Sequence, residues 1–151
     1  MRIVLQRVSE ASVTIDGTVK SKIQKGLVVF VGIEPDDTLE DVQYLSFKIA
    51  RMRIFGDKEG KMNLSLADLL DTKVLVISQF TLFASTRKGN RPSFIAAAQP
   101  EFAKLMYEMF CLELQKDCGS KVLTGVFGAD MKVAFINDGP VTILMDSKMK
   151  E

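Results

Sequence analysis

Ser78, Gln79, Phe80 and Thr81 close an apolar run, and Asn137, Asp138, Gly139, Pro140, Val141 and Thr142 form a second block near the C-terminus. Two hydroxyls flanking an amide offer donors and acceptors that carry no charge. A threonine hydroxyl is inert at neutral pH unless a base takes its proton, and the chain contains 0 histidines. Thr81 therefore reads as a positioning or hydrogen-bonding residue rather than a covalent nucleophile. Strand alternation would place Ser78 and Phe80 on one face and Gln79 and Thr81 on the other. The Gly139 and Pro140 pair reads by itself as a plain turn with a trans bond, because only about 5–6% of X-Pro bonds in folded proteins are cis. Beside the first block, Arg87, Lys88 and Arg91 read either as a solvated loop or as a contact to an RNA backbone.

The bulk numbers narrow the chemistry further. Lys plus Arg total 20 against 19 Asp plus Glu, so any polyanion contact must come from a local patch. Cys111 and Cys118 lie about 10 Å apart along a helix, beyond the roughly 7 Å between Cα atoms that a disulfide tolerates. They read as idle thiols in a reducing compartment, and zinc would need more ligands than the chain offers. The residues after Met1 are too soon interrupted by Gln6 and Arg7 for a secretory segment, and no apolar stretch approaches the roughly 18 residues of a spanning helix. The expected location is the cytoplasm, with no membrane partner.

The elements that must carry the two blocks are legible in outline. Val4 to Ile15, Thr18 to Ile23 and Leu27 to Ile33 read as strands, the first two joined by an Asp16–Gly17 hairpin and the third covered on both faces. Thr38 and its acidic neighbours cap a helix over Leu39 to Met52 that leaves Tyr44 and Phe47 on the surface or in a second packing layer. Gly56 to Gly60 is a polar turn, and Lys73 to Ser78 is a strand that delivers the first block. Pro100 opens a second helix, ending before Gly119, whose apolar face is Phe102, Leu105, Met106, Met109 and Leu112. Val122 to Phe127, Lys132 to Ile136 and Val141 to Met145 complete the chain as short strands. Six or seven strands and two main helices predict an α+β fold with a curved, largely antiparallel sheet.

The two blocks, together with Met1 to Val8, Arg53 to Phe55, Gly60 to Ser65, Thr86 to Phe94 and Phe127 to Val133, resemble the D-aminoacyl-tRNA deacylases from Met1 to about Ser147. The resemblance implies one domain over residues 1–151, with a barrel-like sheet flanked by two helices. It implies an editing hydrolase that cleaves the ester of D-aminoacyl-tRNA as a homodimer without metal or cofactor, the RNA assisting the reaction. Ser78, Gln79, Phe80 and Thr81 would then form the catalytic strand end, their backbone serving the oxyanion. Gly139 and Pro140, with Asn137 and Thr142 beside them, would hold a cis bond and enter the partner's active site, excluding side chains of L-configuration. Glycine escapes such a screen, so glycyl-tRNA is expected to be cleaved too. Phe127, Ala129 and Met131 match the segment lining an adenosine pocket, although Phe127 and Met131 read equally well as core. Two alternatives stand beside this reading: a nucleic-acid-binding module without catalysis, and the sister activity that edits L-alanine mischarged on tRNA.

Overall fold

The computed structural model describes residues 1–150. Its strands are β1 (Arg2–Ile15), β2 (Thr18–Ile23), β3 (Gly26–Gly32), β4 (Phe55–Gly56), β5 (Met62–Leu64), β6 (Lys73–Ser78), β7 (Lys121–Thr124) and β8 (Lys132–Asp146). Its two α-helices are α1 (Leu39–Arg51) and α2 (Pro100–Cys118). The main sheet runs β2-β1-β3-β6-β7, with β8 on the other side of β1. It curls into a nearly closed barrel, and the Ser21 hydroxyl on β2 donates to the Thr124 carbonyl on β7 across the remaining gap (2.7 Å).

The sheet is mixed rather than largely antiparallel. β1 pairs antiparallel with β2, β3 and β8, but β3–β6 and β6–β7 are parallel. Each parallel pair is separated in the chain by a helix, α1 before β6 and α2 before β7, the crossover that parallel strands require.

Alternation along the central strands splits the core in two. Leu27, Val29 and Val31 of β3 and Val74 and Val76 of β6 face the helices, where they meet Leu45, Ile49, Met106 and Phe110. Val28, Leu75 and Ile77 point the other way, into the barrel, with Val8, Val13 and Ile23. Burying each such side chain contributes about 1.5–3 kcal/mol. β3 is accordingly covered on both faces, as its unbroken apolar run implies.

α1 starts where Thr38 and Asp41 cap it, the Thr38 amide donating to Asp41 Oδ2 (2.7 Å). α2 starts at Pro100 and ends at Gly119, whose φ of 64° suits a residue without a side chain. The buried face of α2 is Ala103, Met106, Tyr107, Phe110, Leu114 and Cys118. It is rotated from the face that the sequence suggests, and Leu105 and Leu112 are exposed. No helix among the described residues is long and apolar enough to cross a membrane.

An ion pair ties the end of β8 to α1, with Lys148 Nζ 2.7 Å from Asp41 Oδ2. Burial would raise the Asp41 carboxyl, but hydrogen bonds from Lys148, Ser147 and Thr38 outweigh it and hold the group well below the usual carboxylate range. A depressed folded pKa adds stability above the unfolded value, and that stability disappears as pH falls through the folded one. Asp41→Asn is therefore expected to cost about 1.5–3 kcal/mol at pH 7, the scale of hydrogen bonds to a charged group. Urea melts at a series of pH values should show the gap to the unsubstituted protein closing below about pH 4.

Candidate active site

β6 delivers Ser78 to the rim of the barrel, and there the chain leaves the strand. The Gln79 amide donates to the Val31 carbonyl (2.7 Å), and Phe80–Phe83 winds into a short 3₁₀ turn. Alternation consequently ends at Ser78. Ser78, Gln79 and Phe80 all line one cleft of about 580 Å³, and Thr81 does not. The Thr81 hydroxyl instead accepts a hydrogen bond from Gln79 Nε2 (2.5 Å), which fixes the amide's orientation. The Phe80 and Thr81 amides have no acceptor among the described residues, as expected for the first N–H groups of such a turn. The Gln79 amide, spent on β3, is not available as a donor.

The opposite wall comes from the segment after β7. Phe127, Ala129 and Met131 line the cleft with Gly128 and Asp130. Val122 to Phe127 is strand only as far as Thr124, and the chain then opens into a turn in which Gly128 takes a φ of 78°. Phe127 also packs its ring against Tyr107 of α2 (centroids 5.9 Å apart), so it serves core and cleft together. Asp130 is the lone carboxylate of the lining, and it is paired with Lys132 (2.8 Å).

A third wall is not legible in the sequence. Phe94, Ala97, Ala98, Gln99, Pro100 and Ala103 close the cleft along the N-terminus of α2. They are brought there by the Ala98 amide, which donates to the Ile33 carbonyl (2.9 Å), and by an arm in which Ser85 and Ser93 exchange backbone hydrogen bonds. Phe80 and Phe94 meet edge to face at 5.0 Å at the mouth. Arg87, Lys88 and Arg91 sit exposed at the tip of this arm rather than in the cleft.

Gly139, Pro140, Asn137 and Thr142 are elsewhere: none lines the cleft of its own chain. Lys132–Ile136 and Val141–Met145 are not separate strands but parts of β8, whose pairing with β1 shifts register between Gln6 and Val8 and again between Val8 and Glu10, leaving residues 138–141 without partners opposite Arg7. That bulge is clipped shut. Asn137 Nδ2 donates to Thr142 Oγ1 (2.9 Å), Asn137 Oδ1 accepts from the Val141 amide (3.1 Å), and Arg7 Nε donates to the Asp138 carbonyl (3.0 Å). Gly139 has a φ of 133°, and the bond to Pro140 is cis. The two blocks singled out by sequence thus form a polar cleft end and a braced, exposed bulge that lies outside that cleft.

Residues 4–146 match the model of the D-Tyr-tRNA(Tyr) deacylase family. The chain belongs to that family. It is 59% identical to a D-aminoacyl-tRNA deacylase of Flavobacterium johnsoniae and 58% identical to one of Bacteroides fragilis, each over 100% of both chains. Among solved structures, a c-Myc DNA unwinding element binding protein is 39% identical with a TM-score of 0.89, over 97% of this chain and 98% of that one. The structure of a probable eukaryotic D-amino acid tRNA deacylase, 19% identical, shares the fold with a TM-score of 0.81 over 95% and 97% of the two chains.

The thiols stand apart from the cleft. Cys111 and Cys118 are unpaired, and burial pushes the Cys111 thiol up to about 12 and raises Cys118 as well. A protonated thiol is a poor nucleophile.

Proposed function

We propose that this deacylase hydrolyses the ester of D-aminoacyl-tRNA in the cytoplasm by positioning, with no activated nucleophile of its own. The observation that carries the reading is the composition of the cleft: the Ser78 hydroxyl and the side-chain amides of Gln79 and Gln99 sit among apolar walls, and the one carboxylate, Asp130, is paired with Lys132. A terminal ribose carries a hydroxyl next to the ester, so the substrate brings part of the activation. Water attacks the ester carbonyl, the bond to the ribose oxygen breaks, and that oxygen takes up the proton that the neighbouring hydroxyl relays from the water. Free D-amino acid and tRNA leave.

In this reading the Phe80 and Thr81 amides stabilise the oxyanion, an effect worth about 3–4 kcal/mol for a well-placed donor. Ser78 and Gln79 orient the ester, with Thr81 holding Gln79. Phe127, Ala129 and Met131 receive the terminal adenosine, while Arg87, Lys88 and Arg91 meet phosphates beside it. The Gly139 and Pro140 bulge, which cannot serve the cleft of its own chain, enters that of a second copy. Its carbonyls hold the substrate's α-ammonium and leave no room for an L side chain, so selectivity rests on excluding the wrong partner. Glycyl-tRNA passes the same screen.

The test is hydrolysis of D-tyrosyl-, L-tyrosyl- and glycyl-tRNA by purified protein without added metal. Release of D-tyrosine and glycine with L-tyrosyl-tRNA left intact is the expected result, and equal rates on both enantiomers would end the proposal. The likeness to the c-Myc DNA unwinding element binding protein favours one second reading, a nucleic-acid-binding module. Filter binding to duplex DNA separates the two, since tight, salt-sensitive retention without any ester hydrolysis belongs only to the second.

A further inference from the structure

The solvent-facing side of α1 carries a feature that neither the cleft nor the bulge uses. Tyr44, Phe47, Lys48 and Arg51 recur at spacings of three and four and so form one stripe. Phe47 is 51% exposed. The Arg51 guanidinium lies 4.1 Å from the Phe47 ring centroid, and Lys48 and Lys150 stand over the Tyr44 ring at 5.8 and 4.4 Å. None of these three cations forms an ion pair among the described residues. Beside the stripe, Tyr44, Lys48 and Met52 border a groove of about 350 Å³ whose other wall is Ile143 to Asp146 of β8, the Asp146 carboxylate being taken up by Arg2 (2.8 Å).

We infer that this face binds the phosphate backbone of the tRNA whose 3′ end occupies the cleft, an inference that rests on the function proposed above. Cations at the end of a helix are favourable in themselves, because they complement its dipole. That accounts for Lys48 and Arg51 but not for the two aromatic rings in line with them, nor for Lys150, which arrives from the far end of the chain onto the same ring. Rings hold guanidinium and ammonium groups outward while leaving their N–H donors free, and an arginine so held presents a planar fork to a phosphate. The chemistry of the stripe is thus complementary to a polyanion.

Its place also suits the substrate. α1 ends at Arg51, and three residues later the Ile54 carbonyl accepts a hydrogen bond from Arg7, the side chain that braces the Gly139 bulge. A bulge reaching into a second copy carries this stripe with it toward that copy's cleft. RNA leaving the cleft would then meet the arm of one subunit and α1 of the other.

The experiment uses Lys48→Gln/Arg51→Gln, two exposed positions outside the cleft and the bulge, assayed on D-tyrosyl-tRNA and on a D-tyrosylated 3′-terminal trinucleotide. The expected result is a KM about tenfold higher on the tRNA with kcat retained, no change on the trinucleotide, and a log-log salt slope shallower by about 1 for each phosphate that is no longer neutralised. Equal loss on both substrates, or no loss on either, overturns the inference. Sedimentation of the variant at a smaller assembly size also overturns it, because the stripe would then be a contact between proteins. Filter retention of uncharged tRNA by the same variant reads the face independently of hydrolysis, so a protein inactive on every ester would refute the proposed reaction without deciding the stripe.

Discussion

Gly139→Ala is expected to lower the rate on D-tyrosyl-tRNA by about 100-fold, the scale of loss when a positioning element shifts by about 1 Å. Gly139 has a φ of 133°, where an L side chain is strained, and an added Cβ would lie 2.7 Å from Arg7 Nη2 and 3.0 Å from Val141 Cγ2. Strain of this kind costs about 1–3 kcal/mol. Arg7 cannot retreat without cost, because its other donors hold the Asp138 and Ile54 carbonyls. The bulge would therefore yield first, and its carbonyls would leave the positions at which the proposed screen places them. The loss of global stability should not exceed that strain, since Gly139 is exposed and lies outside both core clusters. Ser78→Ala is the comparison, expected to cost no more than about tenfold, the size of one net hydrogen bond. Single-turnover hydrolysis with thermal melts of both variants decides the matter. The reverse order would place the chemistry on the Ser78 hydroxyl and remove the bulge from the mechanism.

The elements legible in the sequence are those whose boundaries are written locally. Thr38 before an amphipathic run and Pro100 and Gly119 around another mark α1 and α2 to within a residue, because capping depends on neighbours a turn away. The direction of β6 and β7 relative to β3 is not legible, since strand order is set by the path of the crossovers and leaves no trace in local periodicity. β8 shows the same limit from the other side. Asn137 to Pro140 is a strong turn signal, but the chain only bulges there and keeps its direction. Because β1 runs on unbroken beneath it, the two flanking segments remain one strand. The shift in the face of α2 has a comparable origin: Leu105 and Leu112 satisfy a helical repeat, but the position of β6 selects the stripe through Met106, Tyr107 and Phe110, with Tyr107 donating its hydroxyl to the Val76 carbonyl.

At the site, residue types are more informative than local periodicity. The block from Ser78 to Thr81 announces neutral hydrogen-bonding chemistry, yet the departure of Thr81 from the cleft follows from a 3₁₀ turn that strand alternation does not foresee. The wall from Phe94 to Ala103 gives no signal because nothing in its composition is reactive. Its placement depends on one long-range bond from the Ala98 amide to Ile33, just past the end of β3. The same strand holds the Gln79 amide through Val31, so β3 is the common support of two walls.

That dependence makes Gly32, the last residue of β3, the second position where a small change should have a large effect. A Cβ there would lie 3.0 Å from Leu82 Cβ, 3.1 Å from the Gln79 carbonyl oxygen and 3.1 Å from Phe83 Cδ2. Two of these atoms belong to the backbone or to the root of a side chain, and neither can swing aside. The 3₁₀ turn would have to move as a body, carrying the Phe80 and Thr81 amides with it. Gly32→Ala is expected to reduce kcat by about 10- to 100-fold with KM within about twofold, because the donors are needed in the transition state more than in the ground state. Overpacking of this kind should also cost about 1–3 kcal/mol of stability. Gly17→Ala controls for lost stability by itself, since an added Cβ there meets nothing within 4 Å, the positive φ makes the substitution strained, and the hairpin tip is remote from the cleft. A Gly32→Ala protein with wild-type kcat and a lowered melting temperature would show that the 3₁₀ amides are structural only, and the oxyanion would then need donors from the bulge of the second copy.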